Sequence, residues 1–546
     1  MALLVAISPQ LVFAGLSFSG DVSLNTGIPT SPVMIGRQSV GSLQLDNGTS
    51  FTSGPVQLGT TPTGIGTALV TGARTTWNMT SADVGMSGVG RLDIENGALV
   101  DTTRVTVGGL PSGNGAVRVE GEGSILQVRG PMIIGGAGLS GAIGRLEVSN
   151  SAIVNALQTQ LTIGRGGRVL LDGGLLRTTG LQNEGLISGS GELQLTSAAT
   201  LNQPGRIEVG AGDHFLLSGV GSPIQNMGLI AVDGGEMEIT RQVNNVRQGT
   251  FLAGEITLRN GTMRVGGMTP DGPQLTNTGL LAAIGGENHF YGRVQIPATP
   301  PTMPAEIAVT NNSVLVFHDD VSLSGGMMTV FAGSKATLLE DLALASGSQL
   351  LADISGSSTD TQYGEIEVVG NVQLGGAIRA VLSNGFTPAA GDSFPIITAM
   401  GGVTGEVALG EMPPLPNRLL WDLDIGANHV ALNVLQAPPG DYNTDGVVDA
   451  GDYIVWRGAL GDSGTDLAAD GNGDGVVDSA DYNYWRANFG SVVGGASSLP
   501  IGVATSVPEP STAAMLILGA VVGMRRCRKQ TVGCVESARH TVIRQK

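Results

Sequence analysis

Two acidic segments near the C-terminal end hold the side chains best placed to do chemistry. Asp441-Tyr-Asn443-Thr-Asp445-Gly446-Val447-Val448-Asp449-Ala-Gly-Asp452 returns 29 residues later as Asp470-Gly-Asn472-Gly-Asp474-Gly475-Val476-Val477-Asp478-Ser-Ala-Asp481. In both, side-chain oxygens fall at positions 1, 3, 5, 9 and 12, with Gly at 6. That spacing wraps a twelve-residue loop around Ca²⁺. The carbonyl of position 7 adds a ligand, and position 9 reaches the ion through water. The expected ligands of one ion are therefore Asp441, Asn443, Asp445, Val447, Asp449 and Asp452. A second ion would be held by Asp470, Asn472, Asp474, Val476, Asp478 and Asp481. Four carboxylates in so short a loop repel one another until a cation neutralises them, so ion binding and folding should be coupled. Val448 and Val477, at position 8, can pack the two loops together.

Each loop must be followed by an element that presents its last ligand. Tyr453, Trp456 and Leu460 after the first loop, and Tyr482, Trp485 and Phe489 after the second, fall at helical spacing and predict a shared mini-core. Arg457 and Arg486 would then point outward as candidate partner contacts.

The duplicated loop–helix unit over residues 440–490, with Asp at position 12 and Tyr-x-x-Trp-Arg after each loop, resembles a type I dockerin with paired EF-hand-like loops. The resemblance implies a small α-helical module that binds two Ca²⁺ and docks onto a cohesin-like domain of another protein. Partner choice in that family depends on loop positions 10 and 11, here Ala450-Gly451 and Ser479-Ala480, which are too small to name a partner. The alternative is a calcium-stapled cap or spacer.

The preceding body is mainly β in pattern: short alternating runs ending in Gly or Asn-Gly, as in Ser42–Gly48, Arg91–Gly97 and Arg145–Asn150. The first two copies are offset by 49 residues, as are Thr71–Trp77 and Glu120–Leu126. Repetition of short strands at a fixed period predicts a solenoid. With only 4% aromatics, ladders of Val, Ile and Leu must fill it. The expected fold is a parallel β-helix over residues 15–360 with a β-rich cap over 361–437; a chain of β-sandwiches is the alternative. The repeats, clearest over residues 40–155, resemble PEP-CTERM/autotransporter-associated repeats. Pro297–Pro304 is an internal break or a loop off one coil, and Ala437-Pro438-Pro439-Gly440 a linker.

Residues 1–14 read as a signal peptide lacking its positive start, and 491–506 as a spacer. Residues 507–529 (Pro508-Glu509-Pro510, an apolar run, then Arg525-Arg526-Cys527-Arg528-Lys529) resemble a PEP-CTERM sorting signal. That resemblance implies transient inner-membrane contact, then a secreted or cell-surface location. The apolar run is too short for a comfortable span, and the tail 530–546 extends beyond the family pattern. The only cysteines, Cys527 and Cys534, lie in this region, so the body can form no disulfide or thiolate site. The net charge is −18 overall and +6 over residues 525–546, leaving −24 on the rest, which excludes nucleic acid as a partner.

No catalytic constellation emerges. His214, His289, His318 and His429 stand apart in sequence, and Lys335 is the one lysine before the tail. His318-Asp319-Asp320 with Glu340-Asp341, and Glu287-Asn288-His289-Phe290-Tyr291, are the polar clusters, read as solvated turns or loops rather than a glycoside hydrolase pair. Three functions follow: a surface or matrix structural protein with a docking module, a dockerin-bearing glycoside hydrolase or polysaccharide lyase, or an adhesin binding an exopolysaccharide matrix. The shortage of catalytic groups favours the first.

Overall fold

The computed structural model describes residues 11–493, apart from residues 14, 25–30, 137–140, 249–251, 267–273, 299–303, 359–361, 417 and 466. Most of the expected signal segment, nearly all of the 491–506 spacer, the sorting signal 507–529 and the tail 530–546 lie outside the described residues.

The body is a β-solenoid of about 13 turns, and strand makes up 55% of the structure. A coil consists of three short strands, such as Val89–Glu95, Leu99–Thr102 and Val105–Val107, each paired in parallel with its equivalent one coil on (Asn114–Glu120, Ile125–Val128 and Met132–Ile134). Parallel pairing throughout this ladder rules out the sandwich alternative. Alternate residues point inward, so like side chains stack coil on coil: Leu92, Val117, Leu146 and Val169 form one such ladder, all of them buried. Each fully buried aliphatic contributes about 1.5–3 kcal/mol. On the second strand of later coils, Phe290 and Phe317 form part of a separate inward ladder as aromatics, with ring centroids 6.1 Å apart.

The corners explain the sequence period. Asn47, Gly72, Asn96, Gly121 and Asn150 close the first strand of successive coils, all with positive φ. Asn and Gly thus alternate there, and the 49-residue offset spans two coils rather than one. At another corner Gly85 has φ +68°, and a Cβ on it would lie 2.3 Å from the Asn114 carbonyl oxygen. No other residue fits there without moving the next coil. Farther along, this same corner is held by buried amides. Asn226 Nδ2 donates to Asn245 Oδ1 at 2.8 Å, and Asn245 Nδ2 donates to Asn277 Oδ1 at 2.7 Å. This ladder satisfies corner backbone groups that no water reaches.

Antiparallel strands cover both ends. Leu16–Gly20 runs antiparallel to Val40–Leu45, and Leu11–Phe13 turns back on it, so the end of the expected signal segment is paired. At the other end His429–Gln436 runs antiparallel to both Ser393–Ala399 and Leu419–Ile425. Parallel coils continue to Ala408–Leu409, so within the expected cap 361–437 only the last hairpin closes the stack. Such closure blocks edge-to-edge pairing. The ladder also runs in register from Leu280–Ile284 to Glu306–Thr310, so the coils continue on both sides of Pro297–Pro304, of which residues 299–303 lie outside the described residues.

Residues 437–440 form a packed joint, not the expected linker. Ala437 N donates to Arg418 O, and the Arg418 guanidinium donates to Asp441 O at 2.6 Å. Beyond it lie two short helices, α1 (Ala450–Ala459) and α2 (Ser479–Asn488).

Candidate functional site

Each acidic loop is built by its own carboxylates bonding backbone amides. Asp441 Oδ1 accepts from Asp445 N and its Oδ2 from Gly446 N, at 3.2 and 2.9 Å. Asp470 repeats this with Asp474 N and Gly475 N at 3.2 and 2.8 Å. Asn443 Oδ1 and Asn472 Oδ1 each accept from the residue at position 5, both at 3.0 Å. Position 12 closes the ring. Asp452 Oδ1 accepts from Tyr442 N and Asn443 N, and its Oδ2 from Asp449 N at 2.8 Å. Asp481 does the same with Gly471 N, Asn472 N and Asp478 N. Asp449 and Asp478 also N-cap α1 and α2, each in a capping box with the Asp at position 12. The last three loop positions are therefore also the first turn of the helix, where the position-12 carboxylate serves both.

The helices bury a narrower stripe than the spacing predicts. Trp456 and Trp485 are buried, whereas Tyr453, Leu460 and Phe489 stay exposed. Leu460 and Phe489 are the C-caps of their helices, where the chain turns away. Tyr442, Val448, Ala469 and Val477 complete the mini-core instead. The halves are tied reciprocally: Trp456 Nε1 donates to Asp478 O and Trp485 Nε1 to Asp449 O, both at 2.8 Å. Val448 and Val477 pack together in this core, as expected, but their backbones pair elsewhere. Val448 N donates to Ser491 O and Val477 N to Asp462 O, so each loop zips to the segment after the other helix.

Tyr442 is the residue the sequence reading passed over. Its hydroxyl donates to Asp481 O at 2.8 Å, and the Arg418 guanidinium lies 5.7 Å from its ring centroid. Position 2 of the other loop is Gly471, where a Cβ would sit 2.3 Å from the Tyr442 hydroxyl. The Tyr/Gly difference in an otherwise duplicated motif was the available signal.

Asp441, Asp452 and Asp481 are fully buried, and none of the eight loop aspartates is ion-paired among the described residues. Burial pushes the Asp441 carboxyl up from its ordinary range; the Gly446 and Asp445 amides oppose the shift and Asp452 reinforces it. Burial likewise pushes the Tyr442 phenol up, with Asp481 adding to the shift. Among the described residues no three His, Cys, Asp or Glu side chains gather into a preformed metal cage. What the loops offer is an all-oxygen donor set with four negative charges apiece and no cationic partner, which suits a hard divalent ion. The expected position-7 donors, Val447 and Val476, have exposed side chains, and their amides donate to Asp445 and Asp474 at 3.0 Å.

On the body, the acidic cluster is structural in its contacts. Asp319 accepts from Gly292 N at 2.8 Å, Asp320 pairs with Arg293 at 3.2 Å, and Asp341 accepts from Asn371 N at 2.7 Å. His289 and His318, far apart in sequence, meet on neighbouring coils. Burial holds the His318 imidazole pKa below its ordinary value, with His289 and Arg264 acting in the same direction.

No protein-family model matches the chain, and a search of curated proteins returns no match. Among the described residues no helix is long and apolar enough to cross a membrane.

Proposed function

We propose that this is an exported bacterial surface or matrix protein whose β-solenoid presents a calcium-dependent, dockerin-like module to a cohesin-like partner. The observation that carries this reading is the reciprocal build of the two loop–helix units. Each loop's position-9 carbonyl is capped by the other unit's tryptophan, so two acidic loops with unpaired aspartates form one body. Two Ca²⁺ would supply the missing countercharge, held by Asp441, Asn443, Asp445, Val447, Asp449 and Asp452, and by the corresponding residues Asp470 to Asp481.

The same build leaves a surface for docking. Ile454 is 70% exposed on α1, beside the exposed Arg457, and Tyr484 and Arg486 are exposed on α2. A partner that covered Ile454 would take its apolar side chain out of water. The module's attachment through Arg418 would transmit a docked partner's load to the solenoid cap rather than to a slack tether.

The test is capture of surface proteins from the source bacterium by the full chain, with calcium or with chelator. The expected result is a captured cohesin-like protein that disappears in chelator and in an Ile454→Asp/Arg457→Glu variant. Identical capture under all conditions contradicts the docking reading.

A further inference from the structure

The outer face of the solenoid carries a stack of side chains built across four coils. Glu238, Arg264 and Tyr291 are in register on successive strands, and His318 follows on the next coil. The Arg264 guanidinium lies 3.8 Å from the Tyr291 ring centroid, and the His318 ring stacks on Tyr291 at 3.7 Å with planes 10° apart. Glu236 anchors Arg264 through a 2.8 Å hydrogen bond from its Nε. His318 is thereby held with its ring tilted 43° to that of His289, centroids 5.4 Å apart. His289 lies two residues before Tyr291 on the same strand and so shares its outer face. Its Nδ1 is 3.2 Å from His318 Nε2.

We propose that His289 Nδ1 and His318 Nε2 form a two-imidazole chelate for a transition-metal ion of the Zn²⁺ class, with water completing the coordination. Two nitrogens sharing one tetrahedral ion at ordinary zinc–nitrogen distances stand about 3.3 Å apart, close to the separation found here. The far nitrogen of His289 faces a carboxylate, Glu287 Oε1 at 3.6 Å, the arrangement that orients metal-bound imidazoles. His289 is one-third exposed, so an ion can reach the pair from solvent. Imidazole selects a class of ion different from the all-oxygen loops. The site is therefore independent of calcium and of the docking reading.

The test is calorimetric titration of Zn²⁺ into the calcium-saturated full chain. His289→Ala and His318→Ala should each remove one equivalent of bound Zn²⁺, while His214→Ala and His429→Ala remove none. Glu287→Gln, which keeps both imidazoles, should weaken that equivalent by about tenfold. Both histidines face outward, so unchanged circular dichroism of the alanine variants verifies the fold. Isotherms of His289→Ala and His318→Ala that superimpose on the wild type overturn the proposal, leaving an imidazole–imidazole hydrogen bond only. Equal loss in His214→Ala overturns it too.

Discussion

Replacing Asn245 by Leu tests how the solenoid pays for its buried corner. Leucine keeps the approximate volume but removes three hydrogen bonds: from Asn226 Nδ2, to Asn277 Oδ1, and to Leu280 O at 2.9 Å. A neutral buried hydrogen bond contributes about 1 kcal/mol net. Asn226 retains Glu255 O, and Asn277 retains the Gly279 amide, so neither is stranded. The loss should therefore be about 2–3 kcal/mol, or roughly a 30- to 150-fold rise in local opening. Amide hydrogen exchange reads this directly. Protection should fall by that factor in Val243–Asn245 and Leu275–Asn277, while Glu365–Val368, several coils away, stays unchanged. A solenoid couples coil to neighbour, so the effect is local. Unchanged exchange in the two corner strands would refute the argument, and so would an equal change along the whole ladder.

Gly471→Ala should push the Tyr442 ring off Asp481 O at a cost of about 1–3 kcal/mol to the module, seen as lost calcium affinity and partly restored by adding Tyr442→Phe. Trp456→Phe removes one indole bond to Asp478 O and should weaken calcium at the second loop by about fivefold, measured by titration beside Trp485→Phe, which should act on the first loop. Chelation should leave the β circular dichroism of the body intact, because its coils are held by stacked aliphatics, while tryptophan fluorescence from Trp456 and Trp485 changes. Collapse of the β signal in chelator would contradict that division.

The solenoid was legible because its coils repeat: alternation gave the strands, and Asn-Gly pairs gave the corners. The coil length was not legible, since Asn96 resembles Asn47 more than Gly72 does, and the stronger echo is the two-coil one. The Asn226–Asn245–Asn277 ladder escaped because its members are spaced 19 and 32 residues apart by loops of unequal length. The hydrogen-bonded wrap of each acidic segment needs only local spacing, since its carboxylates bond amides of the same segment. Tyr442 and Arg418 were not legible, because their partners lie across the fold. His289 and His318 stood alone in sequence for the same reason: only the register of two strands, Phe290 against Phe317, brings them together.

The central claim is that the paired loops bind calcium, and titration of Ca²⁺ into the chelator-stripped full chain tests it most directly. The account predicts two equivalents for the wild type, one for Asp441→Ala or Asp470→Ala, and none for the double variant. No binding up to about millimolar Ca²⁺, or a stoichiometry that the two substitutions leave unchanged, would contradict it.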